Sequence, residues 1–351
     1  MKLSSLTGAV SSIPAPPLEA VLEWLDALRR FGLRLLGPVL SRAVLTDREK
    51  RVCVLGSVMV VAAFSLSTTL PVVALVLGPL VWGIPHVLSD LRYLVARPGL
   101  HKRPLFLGAM GVGILAAGLG FGVRGGLVGA ALALCAARTT WPRRLLGLSV
   151  VGALFGAAVY FGARLSDIAF AHLHNLVAVL VWWAWRPRKT RLHLIPIALF
   201  GLGVAALLFG MATPLLAWTG GLSAKWTGLS LRYLSWTLSP DPNNAFAVRL
   251  VVLYAFAQAV HYVVWLRLMP EDDRPSKTPR SYRQTFHALS KDLGGLILWA
   301  SVLGALGLFA WAFFGPGAAR DGYLRFAFFH GHLELAAGAL LWAERYQAVT
   351  R

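Results

Sequence analysis

The stretch Val81-Trp-Gly-Ile-Pro-His-Val-Leu-Ser-Asp-Leu-Arg-Tyr93 closes a long apolar segment that begins near Leu70. It places His86 and Asp90 where lipid or a packed helix would be expected. The four-residue spacing puts both side chains on one face of a helix. Ionisable groups inside a membrane span are costly, which makes them candidates for function. This stretch therefore predicts a membrane helix that carries part of a functional site.

The composition of the 351-residue chain excludes an ordinary soluble domain. Hydrophobic residues make up 57% and charged residues only 14%, and the mean hydropathy is +0.65. These values are typical of a polytopic helical membrane protein. The formal charge of +19 comes largely from basic residues in short loops between apolar segments. It therefore indicates membrane orientation and contact with anionic lipid, and no nucleic-acid partner is expected.

The apolar segments predict one all-α domain over residues 51–345, an integral membrane bundle of about ten transmembrane helices and at least eight. Residues 1–50 are predicted to be cytoplasmic. Apolar residues at helical spacing between Leu18 and Leu45 predict an amphipathic helix on the membrane surface. The predicted spans are approximately 52–68, 70–94, 104–122, 126–138, 144–162, 166–185, 192–216, 246–268, 292–314 and 324–343.

Basic residues are distributed unevenly between the two alternating sets of loops. The loops around 97–103, 138–144, 186–191 and 267–283 are richer in arginine and lysine than the loops on the other side. The positive-inside rule therefore places the richer loops and both termini in the cytoplasm. We expect a multi-pass protein of the inner (cytoplasmic) membrane. In this topology, the four spans that contain histidine within apolar sequence all run from outside to inside; His193 lies only at the edge of the span 192–216.

Histidine occurs together with a carboxylate in three of these four spans, and the fourth, which contains His261, offers Gln258 and Tyr262 instead. Neutral imidazole is the commonest nitrogen ligand of protein-bound metals, and carboxylates act as further ligands or as hydrogen-bond partners of the imidazole. Asp90 lies one turn beyond His86, and Glu334 lies one turn beyond His330. We predict catalytic roles for Asp90, Glu334 and Tyr262. The predicted metal ligands are His86, His172, His174, His261, His330 and His332.

Two of the spans contain histidines only two residues apart. Such residues project to nearly opposite sides of a helix. We therefore expect one of His172/His174 and one of His330/His332 to face the site. Counting ~1.5 Å per residue along each span separates the paired histidines from the other two in depth by about 10 Å. This offset predicts either two sites or helices tilted enough to form one.

The segment Gly83-Ile-Pro-His-Val-Leu-Ser-Asp90 resembles the GxPHxxxD signature of the Brp/Blh family of bacterial membrane proteins. Proteins of this family act as β-carotene 15,15′-dioxygenases. They cleave the central double bond of the carotenoid with O2 to give retinal, using histidine-bound iron. The resemblance implies that His86 is an iron ligand and that Asp90 supports it. The family usually has glycine after the histidine, where this chain has Val87.

The leading hypothesis is a membrane-embedded non-haem iron oxygenase with Fe(II) as its cofactor. Its expected substrate is lipid-soluble, most simply a carotenoid cleaved oxidatively to retinal, and its expected partners are the lipid bilayer, this hydrophobic small molecule and O2. One alternative is an electron carrier with haem b held by pairs of histidines. Another is a proton-coupled transporter in which the histidine and acidic residues relay protons.

Overall fold

The computed structural model describes residues 16–35, 37–219, 225–274 and 278–345. Within these ranges the secondary structure is helical and no β-strand occurs. The α-helices, in chain order, are α1 (Pro16–Leu35), α2 (Gly37–Thr46), α3 (Arg48–Thr69), α4 (Pro71–Asp90), α5 (Pro104–Ala116), α6 (Val123–Cys135), α7 (Trp141–Tyr160), α8 (Ala163–Ala184), α9 (Leu194–Leu208), α10 (Thr213–Thr219), α11 (Leu231–Leu238), α12 (Ala245–Val263), α13 (Met269–Asp272), α14 (Tyr282–Leu293), α15 (Gly295–Phe314), α16 (Pro316–Ala327) and α17 (Phe329–Ala343).

Seven helices of the described chain are long and apolar enough to cross a membrane, as expected for a helical membrane bundle. The predicted spans each coincide with helical structure, but α6, α9 and α17 contain only 13, 15 and 15 residues. The predicted count of about ten is therefore not confirmed. The seven long helices are Arg48–Thr69, Pro71–Ala96, Pro104–Phe121, Trp141–Tyr160, Ala163–Ala184, Ala245–Asp272 and Gly295–Phe314.

Two predicted spans are interrupted for local reasons. The predicted span 192–216 ends as helix α9 at Leu208, because the chain turns at Gly210 with a φ of +75°. Glycine adopts this left-handed conformation without the steric cost of a side chain. The predicted span 324–343 divides at Phe328, where α16 and α17 meet. There the Nδ1 atom of His330 contacts the carbonyl oxygen of Ala327.

Two of the long helices change to π-helical turns close to their histidines. The first turn follows α4 directly after Asp90 and covers Leu91–Ala96, and the second follows α12 and covers Val264–Leu268. A π-helical turn contains an extra residue, which rotates the side chains that follow it, and such turns are frequent at functional sites. These turns continue α4 and α12 as single long segments past the histidines.

Glycines allow the closest approaches between helices. In the contact of α5 with α6, a Cβ added at Gly113 would lie 2.9 Å from the Cα of Gly129. Small residues at helix contacts let backbones pack directly in membrane bundles. Gly83 on α4 lies against the ring of Tyr323 on α16 in the same way. The glycine of the GIPH segment thus has a packing role that is independent of the histidine.

The four helices that carry the clustered histidines run in the same direction. Past the contact between His86 and His261, the Ser89 hydroxyl donates to the carbonyl of Trp265 at 2.6 Å, so α4 and α12 are parallel. Likewise, Trp182 Nε1 on α8 donates at 2.7 Å to Asp272 on α13, at the end of the long segment Ala245–Asp272 that begins with α12. His86 and Asp90 of α4 lie beside His330 and Glu334 of α17, respectively, so these two helices are also parallel. The four helices therefore share one direction, as the sequence predicted.

The amino-terminal helix α1 is amphipathic. Asp26 on its inner face accepts from the backbone N–H of Tyr282 at the start of α14, at 3.0 Å. Large apolar side chains, including Trp24 and Phe31, are exposed on its outer face. The predicted segment 1–50 thus contains α1 and α2, and its position on the membrane surface stays a prediction. Residues 1–15 lie outside the described chain.

Candidate metal centre

Four histidines from four helices converge in the interior of the bundle. The Nε2 atoms of His86 on α4 and His261 on α12 lie 2.7 Å apart. The ring of His330 on α17 has its centre 4.9 Å from that of His86, and the ring of His174 on α8 lies 5.2 Å from that of His261. Each of His86, His261 and His330 has one ring nitrogen that lies within 4.8 Å of the corresponding nitrogens of the other two. The depth offset expected from the sequence is absent.

Backbone carbonyls orient two of these imidazoles. The Nδ1 atom of His174 lies 3.0 Å from the carbonyl oxygen of Ala171, and Nδ1 of His330 contacts the carbonyl of Ala327. A carbonyl oxygen can only accept, so Nδ1 carries the hydrogen in each ring. In the neutral ring, the lone pair is then on Nε2. This is the tautomer in which Nε2 can bind a metal ion.

Two buried carboxylates complete the cluster. Asp90 Oδ2 lies 3.2 Å from His86 Nε2, and Glu334 Oε1 lies 3.7 Å from His261 Nε2. A ring nitrogen of His86 and one carboxylate oxygen each of Asp90 and Glu334 also lie within 4.8 Å of one another. Both carboxylates lie beside the imidazole nitrogens that face the centre, so they are placed as possible metal ligands.

The residues present fit a divalent metal ion. Asp90 is 0% exposed, and neither of its carboxylate oxygens accepts a hydrogen bond within the described part of the chain. Two buried carboxylates side by side are costly unless a proton or a cation lies between them. Two imidazoles bound to one ion at about 2.1 Å have nitrogens ~3 Å apart, close to the 2.7 Å observed here. Neutral imidazoles and two carboxylates together carry the charge that balances a divalent cation.

Two tyrosines border the cluster. The ring of Tyr262 lies with its centre 5.2 Å from that of His86, so the structure brings this predicted residue to the site. Tyr323, which the sequence reasoning missed, packs against Gly83. A signal for it existed, because Tyr323, His330 and Glu334 lie at spacings of seven and four residues, which share one helix face.

The structure does not bring His172 and His332 into the cluster. His172 Nε2 lies 2.9 Å from the carbonyl of Leu238 on α11, where the imidazole serves as a link between helices. The ring of His332 stacks on Phe170 with centres 5.3 Å apart. Asp167, a possible carboxylate partner of His174 by spacing, instead accepts from the backbone N–H of Val123 at 2.8 Å and anchors the start of α6. Of each histidine pair, one residue faces the cluster, as the spacing predicted.

An apolar cavity of about 490 Å³ leads to the cluster. It lies between α6, α7, α8 and α17, and His174 and Glu334 supply polar atoms to its wall. Its volume falls in the ~300–1,000 Å³ range of small-molecule sites. Leu154 and Leu173, which line it, are also exposed on the outer surface of the bundle. The cavity therefore opens sideways, between helices, where the apolar surface of a membrane protein meets lipid.

The fold and this cluster together define a helical membrane protein with a buried group of histidine and carboxylate side chains that could hold a metal ion. Comparisons with protein-family models, with curated proteins and with solved structures find no match for this chain. Its function is therefore approached through the chemistry of the cluster and of the cavity beside it.

Proposed function

We propose that this protein is a membrane-embedded non-haem iron dioxygenase that cleaves a lipid-soluble polyene, most simply a carotenoid such as β-carotene. One observation carries the proposal: four imidazoles and two carboxylates converge at the inner end of an apolar cavity that opens between helices. The similarity of Gly83–Asp90 to the GxPHxxxD signature supports the choice of a carotenoid. Addition of both atoms of O2 across one double bond of the polyene gives two aldehydes.

The chain's own residues divide this work between them. His86, His261 and His330 would hold the iron, with His174 as a fourth imidazole. Bound Fe(II) supplies the binding and activation of O2, which a protein side chain does not provide. Asp90 and Glu334 would balance the positive charge and could add carboxylate ligands beside Nε2 of His86 and His261. Tyr262 packs on His86 and excludes water from that side.

The apolar cavity suits a substrate that is dissolved in the bilayer. Phe170, Leu173 and Leu335 line it. Of its polar lining residues, His174 and Glu334 belong to the histidine cluster, while the hydroxyl of Ser166 donates to the backbone carbonyls of Ala158 and Gly162. A polyene entering sideways between α7 and α8 would keep its hydrocarbon in apolar surroundings throughout. Its reacting double bond would meet the cluster at His174 and Glu334. Such a route gives the enzyme access to a substrate that is almost insoluble in water.

The proposal includes the arrangement in the membrane. The short apolar helices α6 and α9 and the histidine-bearing α17 would complete a bundle of about ten crossings beside the seven long helices. The excess of arginine and lysine in alternate loops supports an inner-membrane protein with both termini in the cytoplasm. The four histidine-bearing helices would then cross from outside to inside.

The single cluster favours one metal ion over two haems. A haem held between two imidazoles needs their ligating nitrogens roughly 4 Å apart, twice a metal–imidazole bond of about 2 Å. The Nε2 atoms of His86 and His261 are 2.7 Å apart, and His330 and His174 occupy the space around them. A porphyrin plane between these two rings would require the helices to separate.

Metal and optical analysis of the purified full chain tests the metal part of the proposal. We expect about one iron per chain and no Soret absorption band. A Soret band with stoichiometric haem would overturn the non-haem iron assignment and support the electron carrier. Protein that carries no metal when purified anaerobically, and that takes up none from added Fe(II), would favour the transporter.

Expression in β-carotene-producing cells tests the substrate. We expect loss of colour and accumulation of retinal with the unaltered chain. The His330→Ala variant is expected to leave the cells coloured, whereas His332→Ala, two residues away on the same helix but outside the cluster, is expected to bleach them. Iron-loaded protein that leaves β-carotene intact and yields no retinal would refute the choice of this carotenoid.

A further inference from the structure

A second buried cluster of charged side chains lies at the end of the long helix that contains His261. Glu271, only 2% exposed, is shared by arginines from two parts of the chain. Arg51 Nε on α3 donates to Glu271 Oε1 at 2.6 Å, and Arg274 contacts the same oxygen. Arg267 Nη1 lies 3.6 Å from Glu271 Oε2. One carboxylate cannot neutralise three guanidinium groups.

The surroundings increase this positive charge. Arg48 donates to the backbone carbonyl of Arg274, and Arg29 donates to that of Arg280. Asp26 is the second acidic side chain there, and it pairs with Arg29 at 2.8 Å. Six arginines thus face two carboxylates, a surplus of four positive charges. The six are Arg29, Arg48, Arg51, Arg267, Arg274 and Arg280.

The neighbouring acidic residues do not remove this surplus. Asp272 and Glu49 are matched by Arg186 and Arg188, each at 2.8 Å from its partner. Asp47 is matched by Lys50 at 3.9 Å. All fifteen Asp and Glu residues of the sequence lie in the described ranges. The other segments of the chain therefore contain no acidic side chain that could neutralise the cluster.

Arg274 shows the consequence of this crowding. Its side chain is buried, with 5% of the residue exposed, and its Nε has no hydrogen-bond acceptor within the described chain. Burial, together with repulsion from Arg51 and Arg267, lowers the pKa of Arg274 to about 9. An anion with several oxygen atoms would both accept a hydrogen bond from Nε of Arg274 and reduce the repulsion from Arg51 and Arg267, because guanidinium groups pair strongly with phosphate.

An apolar cleft of about 490 Å³ ends at the same place. It lies between α3, α4 and α12, and its walls include Met59, Leu66 and Val263. Arg267 lines one end of this cleft and also reaches Glu271 of the charged cluster. Cationic and apolar binding surfaces are thus continuous at Arg267, which is the combination that a phospholipid requires.

We infer that this corner binds an anionic phospholipid, with the phosphate beside Arg267 and Arg274 and an acyl chain in the cleft. The amphipathic helix α1 adjoins the cluster through Arg29 and exposes its apolar face, as expected at the level of lipid headgroups. The shared recognition chemistry is a phosphate, and the attached apolar chain distinguishes a lipid from inorganic phosphate. The arginines of this site lie apart from the histidine cluster, although Tyr262, which borders His86, also lines the cleft. The inference does not depend on the function of the histidine cluster.

Native mass spectrometry of the full chain, titrated in detergent with phosphatidylglycerol or phosphatidylcholine, tests the site. We expect preferential retention of phosphatidylglycerol. Arg267→Gln and Arg274→Gln should each weaken it about fivefold, the effect of one basic residue near a lipid surface. Arg325→Gln, which removes an exposed arginine on α16, is the matched control and should leave binding unchanged. Equal retention of the two lipids, or equal effects of all three substitutions, would overturn the inference.

A variant in the cleft separates a lipid from free phosphate. Ala62→Trp adds bulk to the wall of the cleft without changing a charge. It should reduce retention of phosphatidylglycerol while leaving the circular-dichroism spectrum unchanged. A folded Ala62→Trp variant that retains phosphatidylglycerol undiminished would refute the acyl-chain assignment. Inorganic phosphate at millimolar concentration should displace the lipid weakly. Complete displacement by equimolar phosphate would assign the arginines to a free phosphate-bearing ligand instead.

Discussion

The Nε2 atoms of His86 and His261 lie 2.7 Å apart, although 175 residues separate them in the chain. Two neutral imidazoles repel when both direct a lone pair at the same point, so a proton or a cation between them stabilises the contact. Asp90 and Glu334 border the same two nitrogens and add negative charge. The relative position of α4 and α12 is therefore coupled to whatever occupies the space between these two rings.

The two histidines of α8, His172 and His174, give the sharpest test of which residues bind the metal. His174→Ala removes an imidazole that faces the cluster, and we expect it to lower bound iron at least tenfold. His172→Ala removes only the link to the carbonyl of Leu238, so the iron content should stay near that of the unaltered chain. Metal analysis of both purified variants checks this. Equal iron content in the two would contradict the assignment of His174.

Removal of the metal should destabilise the fold. Chelation leaves the Asp90 and Glu334 carboxylates close together without a cation, and the ion's binding free energy is lost from the folded state. That loss is about 2.7 kcal/mol when free metal stands at one hundred times Kd. Thermal unfolding in detergent, followed before chelation, after it and after return of Fe(II), measures the change. An unfolding temperature that is the same in all three states would argue against a bound ion.

Gly83→Ala should destabilise the chain even though it spares the histidine. The new methyl group would overlap the ring of Tyr323, and overpacking of this kind costs about 1–3 kcal/mol. Gly108→Ala on α5 is the control, because nothing lies within 4 Å of its added Cβ. Thermal unfolding of both variants gives the comparison. Recovery of stability in the Gly83→Ala, Tyr323→Leu double variant would assign the cost to this contact.

The ion pair of Glu344 with Arg103 predicts a dependence of stability on pH. Partial burial alone would raise the pKa of Glu344, but hydrogen bonds from Arg103 and from the backbone N–H of Arg138 outweigh it, and the net pKa is lowered. The resulting stabilisation is complete above the unfolded pKa of about 4.3 and is lost as pH falls through the lower folded value.

The Glu344→Gln variant should therefore unfold at a lower temperature than the unaltered chain at pH 7, by no more than about 1 kcal/mol in stability. The difference should shrink below about pH 4, where the unaltered carboxylate also takes up a proton. Glu23→Gln, at an exposed position, provides the control. A difference that does not change between pH 7 and pH 3 would show that the carboxylate charge is not responsible.

The sequence was sufficient to predict the helical class, the four helices whose histidines cluster and the facing of one histidine of each pair toward that cluster. Helical spacing decides these features because it fixes which side chains share a face. It could not say which histidine of a pair faces inward. That choice depends on the rotation of α8 and α17, which is set by distant contacts such as His172 with Leu238 and His332 with Phe170.

The predicted depth of the histidines and the predicted length of the spans were less accurate. Counting residues assumed straight helices normal to the membrane and separated the histidines into two levels, whereas the structure assembles His86, His174, His261 and His330 at one level. The length of the last predicted span was also overestimated, because hydropathy does not register the break at Phe328. Tilt, π-helical turns and helix breaks arise from packing between segments, which a single-sequence hydropathy pattern does not contain.

The parallel arrangement of the four histidine-bearing helices has a consequence for biosynthesis. Their histidines follow one another at intervals of roughly 70 to 90 residues, so each joins the cluster from a different stage of translation. A partly made chain that has inserted α4, α8 and α12 already holds three imidazoles and Asp90. It lacks His330 and Glu334 until α17 has left the ribosome and packed against α6. Any activity that needs the whole cluster is thereby withheld from nascent chains and begins only with the finished bundle.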